Sequence, residues 1–164
     1  MRGKWAQGIV PRHFTWIIKN RLAICERPGG YGPSHRRVRR QEEIIWIREQ
    51  SFSRVISMLP SPHNLHAYEE LGVQYEHVPF ASQDDVHELL SSFYPRLRDL
   101  LDVGEKLLVH QDELGDRLMG VMAGYLVWTG MVPEPPRAVT VMERIVTRQM
   151  GPLGREIVAA ANGI

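Results

Sequence analysis

The run His110-Gln111-Asp112-Glu113-Leu114-Gly115-Asp116-Arg117 places an imidazole, three carboxylates and a guanidinium within one short turn. It follows the apolar strand pattern Lys106–His110 and leads into a long apolar helix pattern from about Asp116 to Trp128. In open α/β sheets ligands bind beyond the carboxyl ends of strands, and the N–H groups that open a helix there attract anions. His110, Asp112 or Glu113 can act on water as a general base, because closely spaced carboxylates raise one another's pKa. A plainer role also suits His110, that of orienting the turn through hydrogen bonds.

A second concentration of charge is Ser34-His35-Arg36-Arg37-Val38-Arg39-Arg40, behind the turn-rich stretch Pro28-Gly29-Gly30-Tyr31-Gly32-Pro33. Cations at a helix N-terminus oppose the helix dipole, a cost that a bound anion relieves. Arg36 and Arg40, four residues apart, can grip one phosphate together. Arg-x-x-x-Arg pairs of this kind also occur in cyclic-dinucleotide receptors. The same arginines can instead form a solvated patch, or pair with Glu42, Glu43 and the acidic turn. His63, His66 and Glu69 share a helical face and offer a metal set, although capping or surface roles suit them as well. No metal and no cofactor is expected. Cys25, the lone cysteine, lies in an apolar strand pattern, where a thiol behaves as a small buried hydrophobe.

Several classes of protein are excluded by composition. With 164 residues, 43% hydrophobic and 24% charged, the chain can bury a real core and is not disordered. No apolar run reaches the ~18–20 residues a membrane helix needs, and no secretory signal pattern opens the sequence. A single cysteine builds neither a disulfide nor a thiolate metal cluster. A cytoplasmic location is expected. The net charge of +1 conceals a split of +7 over residues 1–50 and −6 over residues 51–164. Seventeen of the 20 basic residues are arginine, the side chain suited to bidentate phosphate or carboxylate contacts.

The elements that must hold these groups follow from periodicity and breakers. Phe14–Ile18 and Leu22–Cys25 read as strands around a Lys19-Asn20 turn. Val38 to about Gln50 reads as an amphipathic helix, Arg54–Leu59 as a buried strand, Asn64–Leu71 as a short helix ended by Gly72, and Val73–Phe80 as a strand. Ser82-Gln83-Asp84-Asp85 opens a helix to about Leu101, with Leu89, Leu90, Phe93, Leu97 and Leu100 inward and Pro95 inside it. Helices near Ala138–Arg148 and Leu153–Ala161 follow the break at Pro133–Pro136. Trp16, Trp46 and Trp128 are expected as core or rim anchors. The alternation predicts an α/β fold with a central, mostly parallel sheet of 4–5 strands flanked by helices, in one domain over 1–164 whose first 13 residues form a flexible segment.

Strand, His, one residue, five residues, Arg and an apolar helix is a layout that resembles the cysteine-dependent protein phosphatases, whose signature is HCx5R. Leu22–Gly30, Val55–Leu59 and Leu71-Gly72-Val73-Gln74-Tyr75-Glu76-His77-Val78-Pro79 are similar to successive strands of the small dual-specificity branch. The resemblance covers roughly residues 14–160 and implies that branch's fold. The position of the family nucleophile is Gln111, which has nothing to ionise, so no phosphocysteine can form by the family route. Leu114 stands where the family has a loop glycine, and Leu118 where it has Ser or Thr. The family's general-acid position falls near Ala81 and Ser82, with Asp84 and Asp85 slightly beyond.

These departures imply a pseudophosphatase, a catalytically inactive binding, regulatory or scaffold module for a protein partner or a phosphorylated or nucleotide ligand. The ligand-binding candidates are Arg36, Arg37, Arg39, Arg40 and Arg117. Two alternatives stand beside it: a nucleotide sensor, for instance of cyclic dinucleotides, working through the Arg-rich segment, and a hydrolase using the carboxylates of residues 110–117. Neither a membrane nor nucleic acid is expected as a partner.

Overall fold

The computed structural model describes residues 7–30, Pro33, 35–81 and 84–164. Expectations placed on Tyr31, Gly32, Ser34, Ser82 and Gln83 lie outside the described residues. Strands β1 (Thr15–Ile18) and β2 (Leu22–Glu26) come first, then α1 (Arg37–Glu49), β3 (Arg54–Ser57), α2 (His66–Glu70) and β4 (Tyr75–His77). The chain continues with α3 (Val86–Asp102), β5 (Leu107–Gln111), α4 (Asp116–Thr129), α5 (Pro135–Val146) and α6 (Pro152–Asn162). The five strands form one sheet in the order β1-β2-β5-β3-β4. Only the β1–β2 hairpin is antiparallel; β5 pairs in parallel with both β2 and β3, and β4 in parallel with β3. Asn20 turns the hairpin with φ of 64°, a left-handed conformation that asparagine tolerates.

Two compact units result, one taking the chain up to Ala81 together with Leu101–Glu113, the other the segment ending at Leu100 together with Leu114–Ile164. In the first, α1 and α2 cover one face of the sheet. Ala23, Cys25, Val55 and Leu108 from the strands meet Ile44 and Ile47 of α1 and Ala67 and Tyr68 of α2. Cys25 is fully buried, and burial, with Glu43 and Glu26 nearby, pushes its thiol well above the usual range. It is a piece of the core. At the rim Phe14, Trp16, Trp46 and Phe52 pack ring to ring, with the Lys106 ammonium 4.7 Å from the Phe52 ring centre. The described start of the chain, from Gln7, runs beside α1. The Ile9 N–H donates to Glu42 O, and Gly8 approaches α1 so closely that a Cβ would lie 2.3 Å from that same oxygen.

In the second unit the apolar helix α4 packs against α5 and α6. A Cβ on Gly120 would lie 2.8 Å from the Gly154 carbonyl oxygen, so α4 and α6 touch backbone to backbone there. The Tyr94 hydroxyl donates to Val121 O at 2.7 Å, and its ring sits beside Tyr125 and Trp128. Leu90, Phe93, Leu97 and Leu100 are buried as expected, while Leu89 is only half-buried. Helix α5 starts at Pro135 and not at Ala138, because a proline at the first helical position gives up only an N–H that has no helical partner. The same rule starts α6 at Pro152.

Candidate functional site

The turn after β5 divides into a sheet side and a helix side. On the sheet side His110 lies opposite Cys25 of β2 and Ser57 of β3 in the parallel ladder, and only 1% of its surface is exposed. The Tyr68 hydroxyl donates to His110 Nε2 at 3.0 Å, and His110 Nδ1–H donates to the Gln111 carbonyl at 3.3 Å. Burial disfavours the imidazolium and lowers the pKa to about 4. The ring is therefore neutral and committed at both nitrogens, an orienting group with no lone pair left for water.

Gln111, 7% exposed, is a brace. Its Nε2 donates to the carbonyls of Met58 and Phe80, each at 3.1 Å. Met58 follows β3 and Phe80 follows β4, so one carboxamide ties the carboxyl ends of three neighbouring strands. Asp112 turns the other way: its carboxylate lies 3.6 Å from the Arg27 guanidinium, and its carbonyl accepts the Arg27 N–H. That pair joins the basic front of the sequence to its acidic remainder. Glu113 is exposed.

On the helix side Leu114 is buried and Gly115, in extended backbone, precedes α4. The Asp116 carboxylate accepts the N–H groups of Gly151 and Gly154 at 2.8 and 3.2 Å and meets Arg148 at 3.4 Å. It caps α6 from another helix, since Gly151 has no side chain to do so. Two of the turn's carboxylates thus have partners of their own: Asp112 pairs with Arg27, and Asp116 is spent on α6. Arg117 lies half-buried in the first turn of α4. Asp85 caps α3 through the Glu88 N–H at 3.1 Å. Asp116→Ala is expected to cost about 1–2 kcal/mol and to raise amide hydrogen exchange selectively over the first turn of α6. Unchanged protection at Gly151 and Gly154 would count against the cap.

The Arg-rich segment forms the first turn of α1, with Arg36 at the N-cap position and no acidic residue in that turn. Arg36 and Arg40, expected to share an anion, each have a nearer partner. Arg36 Nη1 donates to the carbonyls of Pro33 and His35, and Arg40 Nη1 donates to His35 Nε2 at 3.0 Å. His35 Nδ1–H donates in turn to Gly30 O. Arg39 lies 3.4 Å from the carboxylate of Glu43, which is wholly buried and also accepts the Gly29 N–H at 2.8 Å. Burial pushes the Glu43 carboxyl up, while the Gly29 bond and Arg39 oppose that rise. Arg37 is exposed. The Arg39–Glu43 pair is one that the sequence offered, whereas the roles of Arg27 and His35 escape sequence reasoning. His66 pairs with Glu70 at 4.0 Å and Glu69 accepts from the Tyr75 hydroxyl, and among the described residues no three His, Cys, Asp or Glu side chains form a metal set.

This sheet order, with a strand–turn–helix unit at its centre, is the dual-specificity and tyrosine-phosphatase-like α/β fold. No protein-family model and no curated protein sequence matches the chain. Among solved structures it is similar to Tk-PTP in its active form, with 17% identity over 92% of this chain and 97% of that one and a TM-score of 0.73. It is also similar to kinase associated phosphatase carrying a substitution of its catalytic-site cysteine, with 18% identity over 91% and 93% of the chains and a TM-score of 0.75. The human tyrosine phosphatase-like serine/threonine/tyrosine-interacting protein matches at 10% identity over 92% and 95%, with a TM-score of 0.68. At these identities the likeness establishes the fold. Among the described residues no helix is long and apolar enough to cross a membrane.

Proposed function

We propose that this chain is a pseudophosphatase: a phosphatase-like domain that binds without turning over phosphate, serving a regulatory or scaffold role in the cytoplasm. The observation that carries this reading is the Gln111 carboxamide, bonded to Met58 O and Phe80 O where the resembling family carries its thiolate. A carboxamide neither ionises nor attacks phosphorus, and this one has both N–H groups engaged within the sheet. Leu114 and Leu118 support the reading, since neither supplies the freedom nor the hydroxyl of the family loop. One structural neighbour is itself described as a phosphatase-like interacting protein. Hydrolysis through the turn's carboxylates is not favoured, because Asp112 and Asp116 point to different partners and His110 is neutral and engaged.

The purified protein is expected to release no phosphate from para-nitrophenyl phosphate above the uncatalysed rate between pH 5 and pH 8. Turnover that disappears in Gln111→Ala would overturn the reading. A ligand in this account is an anion held by the arginines of the first unit; Arg36, Arg37, Arg39 and Arg40 remain its proposed contacts, and Arg117, in the second unit, is a separate candidate.

A further inference from the structure

We propose that the crevice between the end of β2 and the first turn of α1, bounded by Arg27, Arg40 and His63, is a binding site for the phosphate group of a small phosphorylated ligand. This rests on the reading of the chain as a binding module and names where and what it binds. The crevice is lined by Arg27, Pro28, Arg40, His63, Tyr68 and His110, among others, and all of these belong to the first unit. It opens beyond the carboxyl ends of β2 and β5, the end of a parallel sheet where ligands sit. Its interior, about 10 Å³, holds one water-sized atom. A phosphate therefore inserts one oxygen beside Arg27 and Arg40 and leaves the others at the mouth of the crevice.

Three features favour an anion there over solvent. Arg40 keeps its Nε buried with no partner among the described residues, a donor that folding has removed from water without replacing the bond. The cations crowd one another: Arg37 and Arg27 repel Arg40 more than Glu70 attracts it, and Arg27, Arg40 and His63 all act against a charge on His35. Finally, the first turn of α1 carries Arg37, Arg39 and Arg40 and no acid, against the helix dipole. Asp112 pairs with Arg27 and Glu43 is engaged by Gly29 and Arg39, while among the described residues no carboxylate pairs with Arg40. His35 holds Arg40 in place by accepting from its Nη1 while anchored on Gly30 O.

Calorimetric titration of the full chain with inorganic pyrophosphate, and separately with AMP, tests this. One saturable site is expected for each, weakening as salt is raised. Arg40→Gln is expected to weaken pyrophosphate about tenfold, the loss of one charge-assisted contact, whereas Arg144→Gln on α5 changes it less than about twofold. Arg37→Gln guards against misfolding: removing a cation from a helix N-terminus relieves the dipole, so weaker binding with an unchanged or higher Tm still supports the site. The proposal fails if millimolar pyrophosphate gives no saturation, or if Arg40→Gln binds as the parent does. It also fails if Arg117→Gln alone abolishes binding. The two readings fail separately, since absent binding without phosphate release sinks only the site, and phosphate release with Arg40-dependent binding sinks only the inactive reading.

Discussion

Gln111→Cys is expected to be about 2 kcal/mol less stable than the parent and still inert towards an aryl phosphate. The loss of stability follows from the Gln111 carboxamide. Its two donated bonds to Met58 O and Phe80 O are buried and neutral, and such bonds contribute about 0.5–1.5 kcal/mol each. A thiol is a weak donor with one hydrogen, so it cannot bridge two carbonyls. The strand ends that Gln111 ties lose that tie, and the urea midpoint should fall without a change in slope. Supplying a sulfur does not supply the chemistry, because phosphate transfer needs a loop that curls its N–H groups around the anion. Here Leu114 is buried at the position where the resembling loop has glycine, and Asp116 is held by α6. Parent-like stability would show that Gln111 is no brace. Phosphate release by Gln111→Cys would show instead that the remainder of the turn is competent and that one residue alone silences it.

The contrast between what was legible in the sequence and what was not lies in the distance between partners. The β5–turn–α4 unit is plain from Lys106–Trp128, because a short apolar run, a polar turn and a long apolar run each reflect local rules. The parallel sheet follows from strands alternating with helices. Element ends were less legible where tertiary bonds decide them: β4 shrinks to Tyr75–His77 within the expected Val73–Phe80, and β3 stops at Ser57. In the candidate site Gln111 reads from sequence only as the absence of a nucleophile. Its positive role depends on acceptors 53 and 31 residues away, which no periodicity encodes. Asp116 is the same case, capping a helix 35 residues downstream. The Arg36–Arg40 spacing is a true helical repeat, and the Arg36 carbonyl does accept the Arg40 N–H. Spacing alone could not show that each side chain has a closer acceptor. Local rules place groups on elements, and long-range bonds decide what those groups are free to do.

Acid is expected to unfold this protein by way of His110, with about 3 kcal/mol of stability lost between pH 6.5 and pH 4. In the fold the imidazole stays neutral down to about pH 4, whereas in the unfolded chain it takes its proton near the ordinary value of 6.5. Below 6.5 the unfolded state therefore binds the extra proton, and stability falls as pH falls until the folded pKa is reached. Above 6.5 neither state is charged and the contribution is constant. His35, lowered chiefly by burial, acts in the same direction. Glu43 acts in the opposite one: with its folded carboxyl pushed up, the fold takes that proton before the unfolded chain does, which adds stability as acid is added. The His110 share is therefore read as a difference. His110→Gln removes the titration and keeps an oxygen that can accept from the Tyr68 hydroxyl, so Gln should flatten the fall relative to the parent. Denaturant midpoints of both proteins at pH 7.5, 6, 5 and 4 supply the comparison. Curves that run parallel would mean that His110 is not the group whose protonation opens the fold. Converging curves would place the acid lesion at the carboxyl end of β5, beside the brace that Gln111 provides.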